Sequence, residues 1–186
     1  MHLVVGLGNV GREYEFTRHN FGFLALDQIC SAHSFSSLGK KFKSEVFAGE
    51  IAGKKILALK PQTFMNLSGL AVAEAASFYK IDLKKIFVLH DDVDLDLGRL
   101  KVKIGGGSGG HNGLKSLDES VGKNYLRIRL GVGRPANKEF ETADYVLGKF
   151  SQDELKKLEE INTKIAKFFP ALLEEKSDEF LNKFYL

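Results

Sequence analysis

Two short apolar runs limit the fold before anything else does. His2-Leu-Val-Val-Gly6 is short, β-branched and stopped by glycine, and Ile86-Phe-Val-Leu-His90 runs into Asp91-Asp92. Each is too short for a core helix and is closed by residues that end strands, so both predict buried strands. Helical patterns lie between and after them. Phe21 to His33 places Phe21, Leu24, Ile29 and Cys30 on one face, and Ser68 to Tyr79 is alanine-rich, with Asn66 or Ser68 as its cap. Gln152 to Phe169 carries the stripe Leu155, Leu158, Ile161, Ile165 and Phe168, and Asp178 to Tyr185 predicts a short last helix.

Further strands are expected at Glu45–Ile51 and Lys55–Leu59, a hairpin turning at Ala52-Gly53-Lys54, and at Leu100–Ile104 and Arg127–Val132. Ser34 to Ser44 is polar and reads as irregular. Interleaved helices and strands predict one three-layer α/β domain over residues 1–186, with a mixed, twisted central sheet flanked by helices.

A chain of 186 residues supports one domain with a substantial core and not two comfortable ones. No apolar run approaches the roughly 20 residues of a membrane span, and Met1-His-Leu-Val-Val-Gly6 leads into a strand rather than a signal peptide. A single cysteine, Cys30, allows no internal disulfide and suits a reducing cytoplasm. The formal charge of +3 is uneven: residues 151–186 carry eight acids and six bases, leaving +5 for residues 1–150. A mildly basic body permits a polyanionic partner without demanding one.

Several motifs suggest chemistry that their context denies. Gly6-Leu-Gly-Asn-Val-Gly11 matches the dinucleotide fingerprint, but no helix follows it and Asp27 falls inside a helix instead of ending a second strand. Gly105 to Gly113 could cradle a phosphate or form a mobile loop, yet it lacks the Gly-Lys-Ser/Thr ending of a P-loop. Asp92-Val-Asp-Leu-Asp96 has its glycine one place late for calcium, with Lys103 where the closing glutamate belongs. The five histidines show no paired zinc spacing, so no metal is expected. Cys30, placed in a helix between apolar residues, reads as core.

What remains is a polar set just beyond strand ends: Asn9 and His19 after the first strand, Asn66, Asp91, and Asn112 at the close of the glycine run. Loops at the carboxyl ends of strands line the ligand crevice of open α/β sheets. A histidine paired with an aspartate suits general-base activation of water, and asparagines can hold water or a carbonyl without adding charge. No serine lies in a nucleophile-elbow context, which favours direct attack by water.

At these residues the chain resembles the bacterial peptidyl-tRNA hydrolase family. The matching blocks are Val5-Gly-Leu-Gly-Asn9, Tyr14 with Thr17-Arg-His-Asn20, Lys60 to Gly69, His90-Asp91 with Asp94-Leu95, Gly105 to Gly113, and Arg127 to Gly133. The resemblance implies hydrolysis of the ester joining a peptide to the terminal ribose of tRNA, by a cytoplasmic, usually monomeric enzyme without a cofactor. By motif it implies His19 as general base and Asp91 as the group that holds and polarises it. It further implies Asn66 and Asn112 positioning water or carbonyl, Asn9 binding substrate, and Tyr14, Met65 and His111 lining the peptide and terminal-nucleotide side. Lys103 and Arg129 would clamp the tRNA 5′-phosphate; without the resemblance they read as solvated charges on a sheet face. Val10 stands where the family commonly has proline, and Arg134 to Val146 would form a lid or a tRNA-facing segment. Some relatives are thought to lack clear hydrolase activity, so the rival expectation is a non-catalytic RNA-binding module of the same fold.

Overall fold

The computed structural model describes residues 1–186. Its strands are β1 His2–Gly6, β2 Ser36–Lys41, β3 Ser44–Ile51, β4 Lys54–Pro61, β5 Ile86–Asp92, β6 Leu100–Ile104 and β7 Leu126–Gly131. They form one seven-stranded sheet in the order β2-β3-β4-β1-β5-β7-β6. The central strands β4, β1, β5 and β7 are mutually parallel, and β2, β3 and β6 add antiparallel edges. The mixed sheet expected from the sequence is therefore present.

The helices are α1 Phe21–Ala32, α2 Ser68–Phe78, α3 Asn112–Val121, α4 Thr142–Val146, α5 Gln152–Leu173 and α6 Ser177–Tyr185. Alternate side chains of the central strands feed two cores. Val4, Ala58, Leu89 and Ile128 join α1, α5 and α6 on one face, while Val5, Leu57, Val88 and Leu3 join α2 and α3 on the other. No helix is long and apolar enough to cross a membrane.

Some expectations need correction. Ser36–Lys41 is a strand, paired with β3, although it was expected to be irregular. Every residue in it is exposed, so an edge strand here shows no hydrophobic alternation to read. The hairpin turns on Ala52 and Gly53 alone, with Lys54 already in β4. Neither Asn66 nor Ser68 caps α2: Leu67 holds the cap position without a side-chain bond, and the buried Ser68 hydroxyl donates to the Met65 carbonyl. Helix α5 also runs past Phe169, through Pro170, to Leu173.

The glycines that imitate a dinucleotide fingerprint serve helix–sheet packing. A Cβ on Gly6 would stand 2.4 Å from the Gly22 carbonyl oxygen, and one on Gly22 would stand 2.3 Å from that of Leu89. Helix α1 can therefore start directly against the ends of β1 and β5. The short 3₁₀ turn Arg18–Asn20 that precedes it is delivered to the carboxyl edge of the sheet. That edge is where the polar residues gather.

Candidate active site

Asp91 is the centre of the arrangement. It lies in β5, 3% exposed, with hydrophobic strands on either side. His19 Nδ1 lies 2.9 Å from both of its carboxylate oxygens, and His111 Nε2 lies 2.8 Å from Oδ1. An ionised carboxylate only accepts, so both histidines donate to it. Burial would raise the Asp91 pKa, but the two imidazoles outweigh it and hold the carboxyl well below its usual range. Burial likewise works against charging His19, and the Asp91 charge and hydrogen bond overcome it, leaving the His19 pKa above its ordinary 6.5.

The proton positions follow from the backbone. His111 caps α3: its Nδ1 accepts from the Gly113 and Leu114 amides at 3.1 and 3.3 Å. That nitrogen carries no hydrogen, so Nε2 must, and the tautomer of His111 is locked by the first turn of a helix. His19 donates through Nδ1, which leaves Nε2 as a lone pair with no partner inside the protein. The two rings lie 4.8 Å apart, centroid to centroid. One candidate ligand atom from each of His19, Asp91 and His111 lies within 4.8 Å of the others, a spacing compatible with a cation. However, the two nitrogens nearest Asp91 are already spent as proton donors to it.

Around this triad opens a cleft of about 470 Å³. Asn9, His19, Met65, His111 and Asn112 all line it, as does Asp91. Asn9 is fixed by Asn20, whose side chain accepts from the Asn9 amide at 2.8 Å and donates to its carbonyl at 2.9 Å. Tyr14 and Asn66 are not among the lining residues: Tyr14 sits in the 3₁₀ turn Arg12–Tyr14, and Asn66 is exposed in the turn beside Met65. Lys103 and Arg129 are also outside the cleft, but share a second, smaller pocket of about 90 Å³ with Arg127. Arg129 Nε donates to Asp92 Oδ2 at 2.7 Å, while Lys103 is exposed.

Residues outside the candidate catalytic and binding set also hold this geometry. Arg127, 2% exposed, donates to the Gly107 carbonyl at 2.8 Å and to Asp118 at 2.9 Å, bracing the glycine run from behind. His90 is buried; its Nδ1 donates to the Asp91 carbonyl at 2.8 Å and its Nε2 has no partner. Burial and the neighbouring His111 push the His90 pKa down to about 4, so it is neutral near pH 7. Thr142, Ala143 and Val146 of α4 form the far wall, with Arg134 at its edge. Thr142, Ala143 and Val146 lie in the segment expected to form a lid or face tRNA, and His90 and Arg127 lie in the matching blocks, where neither was given a role.

Such a site can take a proton from water beside a cleft that also presents the amides of Asn9 and Asn112. The profile of the peptidyl-tRNA hydrolase family matches residues 3–185. Peptidyl-tRNA hydrolase of Rickettsia bellii strain RML369-C is 51% identical over 184 residues, spanning 98% of this chain and 99% of that one. The Rickettsia prowazekii strain Madrid E protein of the same name is 50% identical over the same span. The crystal structure of peptidyl-tRNA hydrolase from Acinetobacter baumannii superposes with a TM-score of 0.91 at 34% identity, covering 99% of this chain and 94% of that one. With sequence and fold in agreement along nearly its whole length, this chain belongs to the peptidyl-tRNA hydrolase family.

Proposed function

We propose that His19 is the general base by which this chain hydrolyses the ester between a peptide and the terminal ribose of tRNA. The observation that carries the proposal is that His19 lines the cleft with Nδ1–H held by Asp91 and Nε2 without a partner inside the protein. Nε2 takes a proton from water as the water oxygen bonds to the ester carbonyl carbon. The resulting tetrahedral species breaks its bond to the ribose oxygen, which receives the proton back from His19. Peptide acid and intact tRNA leave. Asp91 stabilises the transient imidazolium and fixes the ring, as a buried carboxylate can. His111, locked by its helix cap, serves as the second donor that keeps Asp91 ionised and stationary.

Asn9 and Asn112, neutral amides on the cleft wall, are suited to orient the water and the carbonyl oxygen. Met65 supplies apolar surface to the substrate. Asn66, next in the chain to the lining residue Met65, is suited to join Asn112 in orienting water or carbonyl, and Tyr14 to contact the peptide or terminal nucleotide, although neither is among the lining residues. Lys103 and Arg129 form a basic pair suited to a phosphate of the tRNA. We further propose a cytoplasmic monomer that needs no cofactor. Free Cys30, buried with its pKa pushed up to about 12 by burial and then Asp27, suits a reducing compartment.

The test is incubation with N-blocked aminoacyl-tRNA and with its free-amine counterpart, scoring intact deacylated tRNA. Release from the blocked substrate alone is expected. No release from either would instead favour a non-catalytic RNA-binding module.

A further inference from the structure

His19 is preceded by a residue that reaches across the cleft wall. Arg18 N–H donates to the Gly148 carbonyl at 3.0 Å, Phe150 N–H donates to the Phe16 carbonyl at 2.9 Å, and Thr17 bridges Lys149. Residues 16–18 and 148–150 thus pair as a two-stranded clip immediately before the base. The Arg18 guanidinium lies 4.2 Å from the centroid of the Tyr145 ring, and its Nη1 donates to the Tyr145 carbonyl at 3.3 Å. Nη2 stands 3.7 Å from Glu154, whose carboxylate also completes the capping box of α5. A Cβ on Gly148 would come within 2.7 Å of Nη1, so the chain leaves this space open for the guanidinium.

Tyr145 continues the connection. Its hydroxyl donates to the Val132 carbonyl at 2.7 Å, and the Val132 amide donates to the Asp92 carbonyl at 3.0 Å, next to Asp91. The circuit from the base runs through Arg18, Tyr145, Val132 and Asp92 back to the carboxylate that holds the base. Helix α4, which contains Tyr145, also presents Thr142, Ala143 and Val146 to the cleft. A purely packing role is a poor account of Arg18, because its Nε is buried without a partner while a methionine would fill the same volume without an unsatisfied donor.

We infer that Arg18 is a positioning residue that ties the α4 wall of the cleft to the His19 turn, so that the wall against which substrate packs sets the place of the base. The inference rests on His19 acting as the base. Its test compares Arg18→Met, Arg18→Lys, Tyr145→Leu and the double variant Arg18→Met/Tyr145→Leu, with His19→Asn as control, on N-blocked aminoacyl-tRNA.

Arg18→Met should lower kcat about 10- to 100-fold, the scale of a small misplacement of a reacting group, with KM nearly unchanged. The acid limb of its kcat profile should move to lower pH as His19 loosens from Asp91. Arg18→Lys, which keeps the charge without the planar stack, should recover part of the loss. Tyr145→Leu should act similarly, and the double variant should be little worse than either single one, since both interrupt one path. If Arg18→Met does not fold, Tyr145→Leu, with Arg18 still able to reach Glu154, carries the test. Multiplying losses, a change in KM alone, or a wild-type kcat and pH profile in the folded variants would overturn the inference. Full turnover by His19→Asn would instead overturn the base assignment on which it stands.

Discussion

Replacing Asp91 with asparagine tests the proton arrangement most sharply, because the neighbours dictate how the amide must sit. His111 has to donate through Nε2, since its Nδ1 accepts from the Gly113 and Leu114 amides. Turning the new NH₂ toward His111 would set two donors face to face, or force the other tautomer and break both cap bonds. Each buried donor left unsatisfied costs about 1–3 kcal/mol, whereas moving one proton between the nitrogens of His19 is cheap. The amide oxygen therefore faces His111 and the NH₂ faces His19 Nδ1. His19 Nδ1 stands 2.9 Å from both positions, and keeping its hydrogen there would set it against the NH₂, so His19 is driven to accept through Nδ1 and carry its hydrogen on Nε2, where it cannot act as a base. The loss should match a general base's contribution, about 10²–10⁴-fold, or about 3–5 kcal/mol at 1.36 kcal/mol per decade. The assay is kcat/KM on N-blocked aminoacyl-tRNA across pH. Wild type should lose activity as pH falls through a His19 pKa above 6.5, because protonation removes the base. In the variant the small residual rate should lose that limb or show it at lower pH, the Asp91 charge being gone. An asparagine variant within about tenfold of wild type, with its acid limb unmoved, would refute the reasoning.

Three further outcomes follow from the same contacts. His90 is neutral when folded, with a pKa of about 4 against 6.5; the unfolded chain binds the extra proton, so stability falls as pH drops from 6.5 toward 4. The loss approaches about 3 kcal/mol by linkage, and His90→Asn, whose amide can replace the Nδ1–H donor, should flatten that slope in urea unfolding at several pH values. Lys103→Ala and Arg129→Ala should each weaken tRNA binding and make the dependence of log Kd on log salt shallower by roughly one unit; Kd measured over a salt series checks this, and an unchanged slope would remove the phosphate role. Arg127→Met breaks a buried pair and leaves Asp118 with the Tyr125 hydroxyl alone, which should cost about 3 kcal/mol and lower the calorimetric Tm, with Arg127→Met/Asp118→Leu recovering only part of the loss because Tyr125 then loses its acceptor.

The sequence was most legible where burial was strongest. β1 and β5 announce themselves because both faces are covered and apolar residues run on without a break. β2 was hidden for the opposite reason: an exposed edge strand of Ser, Gly and Lys has nothing to alternate. The meeting of His19 with Asp91, 72 residues apart, could be anticipated from polar residues beyond strand ends, and the resemblance gave each a role. The supporting set could not be anticipated this way. Arg18 meets the Tyr145 carbonyl across 127 positions, and Arg127 meets Gly107 across the β7–β6 edge. Both arginines read locally as ordinary charges, and only the tertiary fold makes them bury and point. The helix cap that sets the His111 tautomer was likewise out of sight, because α3 begins at Asn112, two residues before the apolar pattern starts at Leu114.

The central claim is that the free Nε2 of His19 takes the proton from the attacking water. Single-turnover hydrolysis of N-blocked aminoacyl-tRNA by His19→Asn tests it most directly, because asparagine's amide can keep the bond to Asp91 that Nδ1 makes and supplies no base. The account predicts binding close to wild type and a chemical step slower by about 10²–10⁴-fold. A chemical step at the wild-type rate would contradict it.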